Sequence, residues 1–269
     1  MNKLAVITGA TGGIGEALAD ALAREGYSLL LTGRRGDKLL SLKQSLSDKF
    51  NTRVYTAVAD LTKAAERNAL VALMVSKAES LELLVNNAGL SQFGLFSETK
   101  PQVIEELIQA NIAAPMCLTQ ALLEQLASEP KKSLQIINIG STFGVIGYPG
   151  FTSYSATKFA LRGFSQALAR ELGDTDIRVR YFAPRATNTG LNSDAVNALN
   201  LEIGVAVDSP EVVAEKFIAF LKTKKLTEHI GWPERFFVWL NKRNPSLVGS
   251  TLVKQLPIIR RYAQSAATD

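Results

Sequence analysis

Leu4-Ala5-Val6-Ile7-Thr8-Gly9-Ala10-Thr11-Gly12-Gly13-Ile14-Gly15 is the stretch that decides how this chain folds. Leu4 to Ile7 form a short continuous apolar run, the pattern of a strand buried on both faces of a parallel sheet. After the glycines, Ile14, Leu18, Ala21 and Leu22 recur on one face of a helix. Glycines between a strand and a helix let the backbone turn tightly and approach a pyrophosphate. The charge of that group then meets the free N–H groups at the helix start. A glycine cluster by itself is an ordinary loop; between this strand and this helix it reads as a dinucleotide site.

The next apolar run, Ser28-Leu29-Leu30-Leu31-Thr32, ends in Gly33-Arg34-Arg35. A site for NAD places Asp or Glu near this point, to accept from the ribose 2′-hydroxyl. Here the acid is absent and two guanidiniums follow, which suits a 2′-phosphate through paired charged hydrogen bonds. Arg34 and Arg35 therefore point to NADP(H), against the plainer reading of two surface charges at a helix start.

Further along, apolar runs alternate with amphipathic stretches, the βαβ rhythm of a parallel sheet with helices on both faces. The 269 residues suit a single α/β domain, doubly wound and of Rossmann type. With one cysteine, Cys117, no intrachain disulfide can form, and a reducing cytoplasm is the expected setting. With one histidine, His229, and one cysteine, no His/Cys metal site is expected. The first strand begins by residue 4, so no leader peptide is expected, and no apolar stretch approaches the ~18 residues of a membrane span.

Tyr154 and Lys158, in Tyr154-Ser155-Ala156-Thr157-Lys158, lie on one face of a helix, separated by about 6 Å of rise. A phenol titrates near pH ~10, and a neighbouring ammonium is expected to lower that value toward neutrality. This is what a general acid/base at an alcohol or carbonyl oxygen requires. The spacing alone also fits a surface lysine beside a packed tyrosine, so the pair gains its meaning from the residues around it.

With those residues in view, the chain resembles the short-chain dehydrogenase/reductase family in its single-domain form, over residues 3–231. Thr8-Gly9 through Gly13-Ile14-Gly15 matches the family's TGxxxGxG cofactor motif, and Asn86-Asn87-Ala88-Gly89 its NNAG motif. Asn111, Ser141, Tyr154 and Lys158 match its catalytic tetrad. The resemblance implies that Ser141 holds the substrate oxygen and Tyr154 transfers its proton. Lys158 would bind the nicotinamide ribose and tune Tyr154, while Asn111 positions a water that passes protons to Lys158. It also implies cofactor contacts from Gly9, Thr11, Gly13, Ile14, Gly15, Asp60, Leu61, Asn87, Ala88 and Gly89. Pro184, Thr187 and Thr189 complete that set, with Tyr154 and Lys158. A homo-oligomer, dimer or tetramer, is expected as well.

One departure from the family pattern stands at Pro184-Arg185, where Pro-Gly is usual. A positive φ there would strain an arginine. Arg185 is either structural or solvated, or it faces a carboxylate or phosphate on the substrate.

Residues 1–231 read as the catalytic domain and 232–269 as an amphipathic extension. Residues 222–262 hold nine Lys/Arg and two acids, +7 against +5 for the whole chain, so the remainder carries −2. The extension has three readings, in this order: packing on its own domain as a substrate lid, contact with a second subunit, and contact with a membrane surface. The first two bury Phe236, Trp239 and Leu240. No nucleic-acid module accompanies the charge. Val196, Leu199 and Ile203 recur at helical spacing and would make an apolar lid. Leu90, Phe93 and Phe96, with Phe143, Val145, Ile146 and Tyr148, add apolar surface, in part ordinary core. The expected activity is an NADP(H)-dependent exchange of carbonyl and secondary alcohol on a hydrophobic substrate, with 3-oxoacyl thioester reduction as the alternative. A non-catalytic nucleotide-binding protein is the reading from another class, opposed by the intact Ser141, Tyr154 and Lys158.

Overall fold

The strands are β1 (Leu4–Thr8), β2 (Ser28–Gly33), β3 (Val54–Val58), β4 (Leu81–Asn86), β5 (Leu134–Ile139), β6 (Ile177–Ala183) and β7 (Thr227–His229). All pair in parallel in one sheet, in the order β3-β2-β1-β4-β5-β6-β7. This is a computed structural model of the whole chain, and it describes residues 3–77, 80–127 and 133–265. The last four residues of the extension, 266–269, lie outside the described residues. The strand order reverses between β1 and β4, which leaves a crevice beyond their carboxyl ends, where ligands of open α/β sheets bind.

Alternation along each strand sorts the core into two layers, because successive side chains point to opposite faces. Ala5, Ile7, Leu29, Leu31 and Phe182 pack on one face with α1 (Gly13–Arg24), α2 (Gly36–Phe50) and α8 (Pro210–Leu221). Leu4, Val6, Leu30, Leu84 and Ile136 pack on the other, with α3 (Ala64–Val75), α5 (Ala114–Leu126) and α6 (Thr152–Glu171). Buried on both faces, these strands read in sequence as unbroken apolar runs. The fold is the single-domain, doubly wound Rossmann-type α/β arrangement expected from the sequence.

Between α4 (Pro101–Ile108) and α5 the helix widens into a π turn, Gln109–Ala113, with Asn111 at its centre and 1% exposed. Beyond β7 come α9 (Glu234–Arg243), α10 (Pro245–Lys254) and α11 (Leu256–Ser265). Val238 and Val248 bury against Val145 and Ile146 of the β5–α6 loop. The Asn241 side-chain amide donates to the Val145 carbonyl at 3.0 Å. Arg261 and Tyr262 of α11 both reach Glu202 at the end of α7 (Asp194–Glu202). The extension thus packs on its own chain, but through a different face than expected. Val238 goes inward and Leu240 is partly buried, whereas Phe236 and Trp239 remain 41% and 49% exposed. The helical period accounts for this: with Val238 and Asn241 facing the body, Phe236 and Trp239 fall on the opposite side. No described helix is long and apolar enough to cross a membrane.

Gly15 shows how tightly β1 and α1 are joined. A Cβ there would lie 2.3 Å from the Gly9 carbonyl and 2.8 Å from Asn87 Nδ2, whereas one at Gly12 would meet only the Gly9 carbonyl, at 3.5 Å. Gly15→Ala should therefore lower stability by about 2–3 kcal/mol through overpacking against backbone. Gly12→Ala should stay within about 0.5 kcal/mol of the unmodified chain. Urea unfolding of the two variants side by side checks this, and equal midpoints would contradict it.

Candidate active site

A single cleft of about 1620 Å³ runs from the glycine turn across the carboxyl ends of the strands to the extension. Every cofactor and catalytic residue expected from the sequence lines it except Asn111, which lies behind its wall.

At one end, Gly12 caps α1 without a side-chain hydrogen bond, so the first N–H groups of the helix are open to an anion. Gly9 turns there with φ +64°, and a Cβ on it would lie 2.8 Å from the Ala88 Cα. Thr8 Oγ1 accepts from the N–H groups of Asn87 and Ala88, at 2.9 and 3.0 Å. Asn87 Nδ2 donates back to the carbonyls of Thr8 and Gly9. Asn87 and Ala88 thus clamp the β4 loop to the glycine turn. Thr189 closes the same turn from across the cleft; a Cβ on Gly13 would meet its methyl at 2.9 Å. Thr187 is buried, and its hydroxyl donates to the Arg185 carbonyl.

Beyond β2, Arg35 donates to the carbonyl and hydroxyl of Thr11, bracing the glycine turn. Arg34 makes no hydrogen bond with any described residue and lines the cleft beside Asp60 and Leu61. The Asp60 carboxylate accepts from the N–H and hydroxyl of Thr62, which with the nearby Arg34 charge holds its pKa below the usual range. Lys38, absent from the sequence reading, also lines this end. It lies in the first turn of α2, just after Arg34 and Arg35, a closeness in sequence that could have disclosed it. An open helix start and exposed guanidiniums fit the phosphates of a dinucleotide.

The other end holds Ser141, Tyr154 and Lys158. Lys158 is 6% exposed, donates to the Ile139 carbonyl at 3.0 Å, and has its ammonium 5.6 Å from the centre of the Tyr154 ring. Burial lowers its pKa to about 8. Burial also pushes Tyr154 up to about 12, with a hydrogen bond to Ser141 pulling the other way. This corrects the expectation that Lys158 brings Tyr154 toward neutrality. Lys158 is buried and Tyr154 half-buried in the cleft wall, and the desolvation of each outweighs their interaction. Asn111 accepts from the Leu90 N–H at 2.7 Å and donates to the Leu90 carbonyl and Thr157 Oγ1. Its side chain is therefore fully engaged in holding the β4 loop against the helix of Tyr154.

Arg185 is structural. Its guanidinium grips Asp208 with two bonds of 2.6 and 2.8 Å and reaches Glu234 at 3.2 Å. Among the non-glycine described residues only Asn51 has positive φ, so arginine is not strained at 185. The clamp joins the loop after β6 to the approach of α8 and the start of α9. A Cβ at Gly231 would strike the Arg185 side chain at 2.6 Å, and Gly231 turns there with φ +97°.

The remaining wall is apolar. Phe143, Ile146 and Tyr148 line it with Leu90, Val196, Leu199 and Ile203, and α9 and α10 add Phe237, Leu240, Val248 and Leu252. Val145 packs under the extension, Phe93 packs against Phe151, and Phe96 is exposed, so these three do not line the cleft.

A family model described as short chain dehydrogenase matches residues 3–200. The (S)-acetoin-forming diacetyl reductase of Staphylococcus epidermidis is 31% identical over 229 residues, covering 84% of this chain and 85% of that one. A 3-oxoacyl-acyl-carrier-protein reductase of Chlamydia trachomatis is 30% identical over 202 residues, covering 75% and 81%. A short-chain dehydrogenase from Sphingobium yanoikuyae, solved in complex with NADPH, superposes with a TM-score of 0.75 at 27% identity, covering 91% of this chain and 95% of that one.

Tyr181, a buried side chain under Ser141 and Lys158, is a residue that sequence reading missed. Its ring is 1% exposed and lies where Cβ atoms on Gly140 or Gly144 would be, 2.0 and 2.2 Å away. The phenol accepts from the Ser141 N–H at 3.2 Å and lies within donating distance of the carbonyls of Ser141 and Lys158. As one apolar letter in a strand it gave no signal. Tyr181→Phe keeps the ring and removes those bonds, so it should cost about 1–1.5 kcal/mol of stability. For any substrate turned over it should lower kcat more than it raises KM; unchanged kcat in a correctly folded variant would exclude a positioning role.

Proposed function

We propose that this chain, which belongs to the short-chain dehydrogenase family, uses NADP(H) to interconvert a carbonyl and a secondary alcohol on a hydrophobic substrate. It is an oxidoreductase by that membership; the cofactor preference and substrate class are our reading. The observation that carries them is the placement of Ser141, Tyr154 and Lys158 at the apolar end of one cleft whose other end presents Arg34, Arg35 and Lys38. In this reading residues 1–231 are the catalytic unit and 232–269 an extension roofing its substrate end. A cytoplasmic homo-oligomer completes the proposal.

The nicotinamide, when bound, exchanges the hydride. The Ser141 hydroxyl and Tyr154 phenol would donate to the substrate oxygen as negative charge grows there. Tyr154 is protonated at neutral pH, and burial raises its pKa further, which suits a proton donor. Lys158, still an ammonium below about 8, would stabilise the phenolate left behind. The Asn111 amide, engaged by Leu90 and Thr157, would act by holding the loop after β4 against α6.

Reduction of a 3-oxoacyl thioester stands as the second reading, favoured by the length of the apolar wall and the similarity to the Chlamydia trachomatis reductase. Arg185 does not serve it, being occupied by Asp208 and Glu234. NADPH oxidation with a panel of hydrophobic ketones and acyl thioesters separates the two readings. Turnover of neither would favour a non-catalytic binder.

Tyr154→Phe should reduce turnover by about 10²–10⁴-fold, the range typical of a lost general acid, with NADPH binding retained. More than about a tenth of the original activity would exclude Tyr154 as the proton donor. Arg34→Ala should weaken NADPH by about 1.5–3 kcal/mol, as for a lost charged hydrogen bond, and leave NADH nearly unchanged. Equal titration affinities of the unmodified protein for the two cofactors would overturn the assignment.

A further inference from the structure

The outer face of α9 is an unusual surface. Trp232, Phe236, Phe237 and Trp239 are 74%, 41%, 42% and 49% exposed, yet they pack on one another with centroids 5.8 to 5.9 Å apart. Leu247 and Val253 of α10 are exposed in addition. Arg235, Lys242 and Arg243 of the same helix are exposed too; the Arg243 guanidinium lies 4.5 Å over the Trp239 ring, and Arg235 comes within 4.0 Å of Glu228. Isolated exposed apolar residues need no explanation, but a contiguous aromatic group ringed by cations does.

This patch adjoins the mouth of the cleft. Phe237 and Leu247 belong to both, each exposed on its outer side while lining the cleft. We propose that the aromatic and basic face of α9 docks on an anionic lipid bilayer, placing the cleft mouth at headgroup depth so that apolar substrate passes from lipid to Tyr154. Only the second half of this proposal rests on the function proposed above.

The chemistry favours lipid over other partners. Tryptophan and phenylalanine rings bind at the boundary between headgroups and acyl chains, while arginine and lysine meet the lipid phosphates beside them. Each basic residue near such a surface adds about 1 kcal/mol, or about fivefold in binding. A second copy of this chain fits less well, since a two-fold contact would bring the cationic patch of one copy against that of the other. The extension, residues 232–269, carries six Lys/Arg against two acids, a charge of +4 out of +5 for the whole chain.

The test is built into the sequence, because Trp232 and Trp239 are the only tryptophans. Intrinsic emission therefore reports the patch alone. With vesicles of phosphatidylglycerol and phosphatidylcholine, emission should shift to the blue, brominated lipid should quench it, and the protein should co-sediment. Pure phosphatidylcholine vesicles should bind weakly, and added salt should weaken binding to the anionic vesicles. Phe236→Ser with Trp239→Ser should weaken sedimentation by at least about tenfold. Lys242→Gln with Arg243→Gln should weaken it by about 25-fold. None of these four side chains lines the cleft, so turnover of a water-soluble substrate should persist. Absence of an emission shift, or binding unaffected by both double variants, would overturn the proposal. Concentration-dependent self-association abolished by Phe236→Ser with Trp239→Ser would also overturn it, in favour of a contact between copies. Vesicle binding needs neither cofactor nor substrate and should be unchanged in Tyr154→Phe. A protein that binds vesicles but reduces no carbonyl would refute the proposed activity and leave the docking surface standing.

Discussion

The site is organised around a lysine ammonium held inside protein. Lys158 has its Nζ on the Ile139 carbonyl and almost no contact with solvent. Its pKa of about 8, against an ordinary 10.5, corresponds to about 3 kcal/mol by which burial disfavours the charged form. That penalty is complete below pH 8 and fades as pH rises toward 10.5, where the unfolded chain would still bind the proton that the folded chain has released. The surroundings keep the ammonium in place. Gly89 has no side chain to fill the space between Asn111 and Lys158, and Tyr181 reaches the Lys158 carbonyl from below.

A second constraint follows from the first. A tyrosine beside a buried lysine is useful only if its helix cannot drift, so polar groups in the core tie α6 to the sheet. Asn86 on β4 donates to Asn138 on β5, which donates to Ser165 on α6, whose hydroxyl bonds back to the Leu161 carbonyl. These are buried groups, and each broken link would leave a donor or acceptor unmet. The π turn around Asn111 does the same from the opposite side, through Leu90 and Thr157.

The substrate end is held by charge. Arg185 draws together Asp208, before α8, and Glu234, at the start of α9. The extension is thereby fixed at its root to the loop that leaves β6, while Val238 and Val248 cover Val145 and Ile146. Clamped along its inner face, α9 has its aromatic outer face left to the surroundings.

The parallel sheet, the glycine turn and the residues around Tyr154 were legible because they depend on local pattern. An apolar run, a turn that only glycine makes easily, and a four-residue spacing are each visible within a short window. The role of Arg185, the burial of Tyr181 and the upward pKa of Tyr154 were not. Each depends on partners far along the chain: Asp208 and Glu234 for the first, Gly140 and Gly144 for the second, the side chains packed around the phenol for the third. The extension divides along the same line. Its amphipathic composition could be read directly, but which face turned inward could not, since Val238 and Phe236 are equally apolar as letters. By itself the sequence determined the chemistry available and the order of the elements; the tertiary structure alone decided which groups lose their water, and desolvation governs both their charge and their partners.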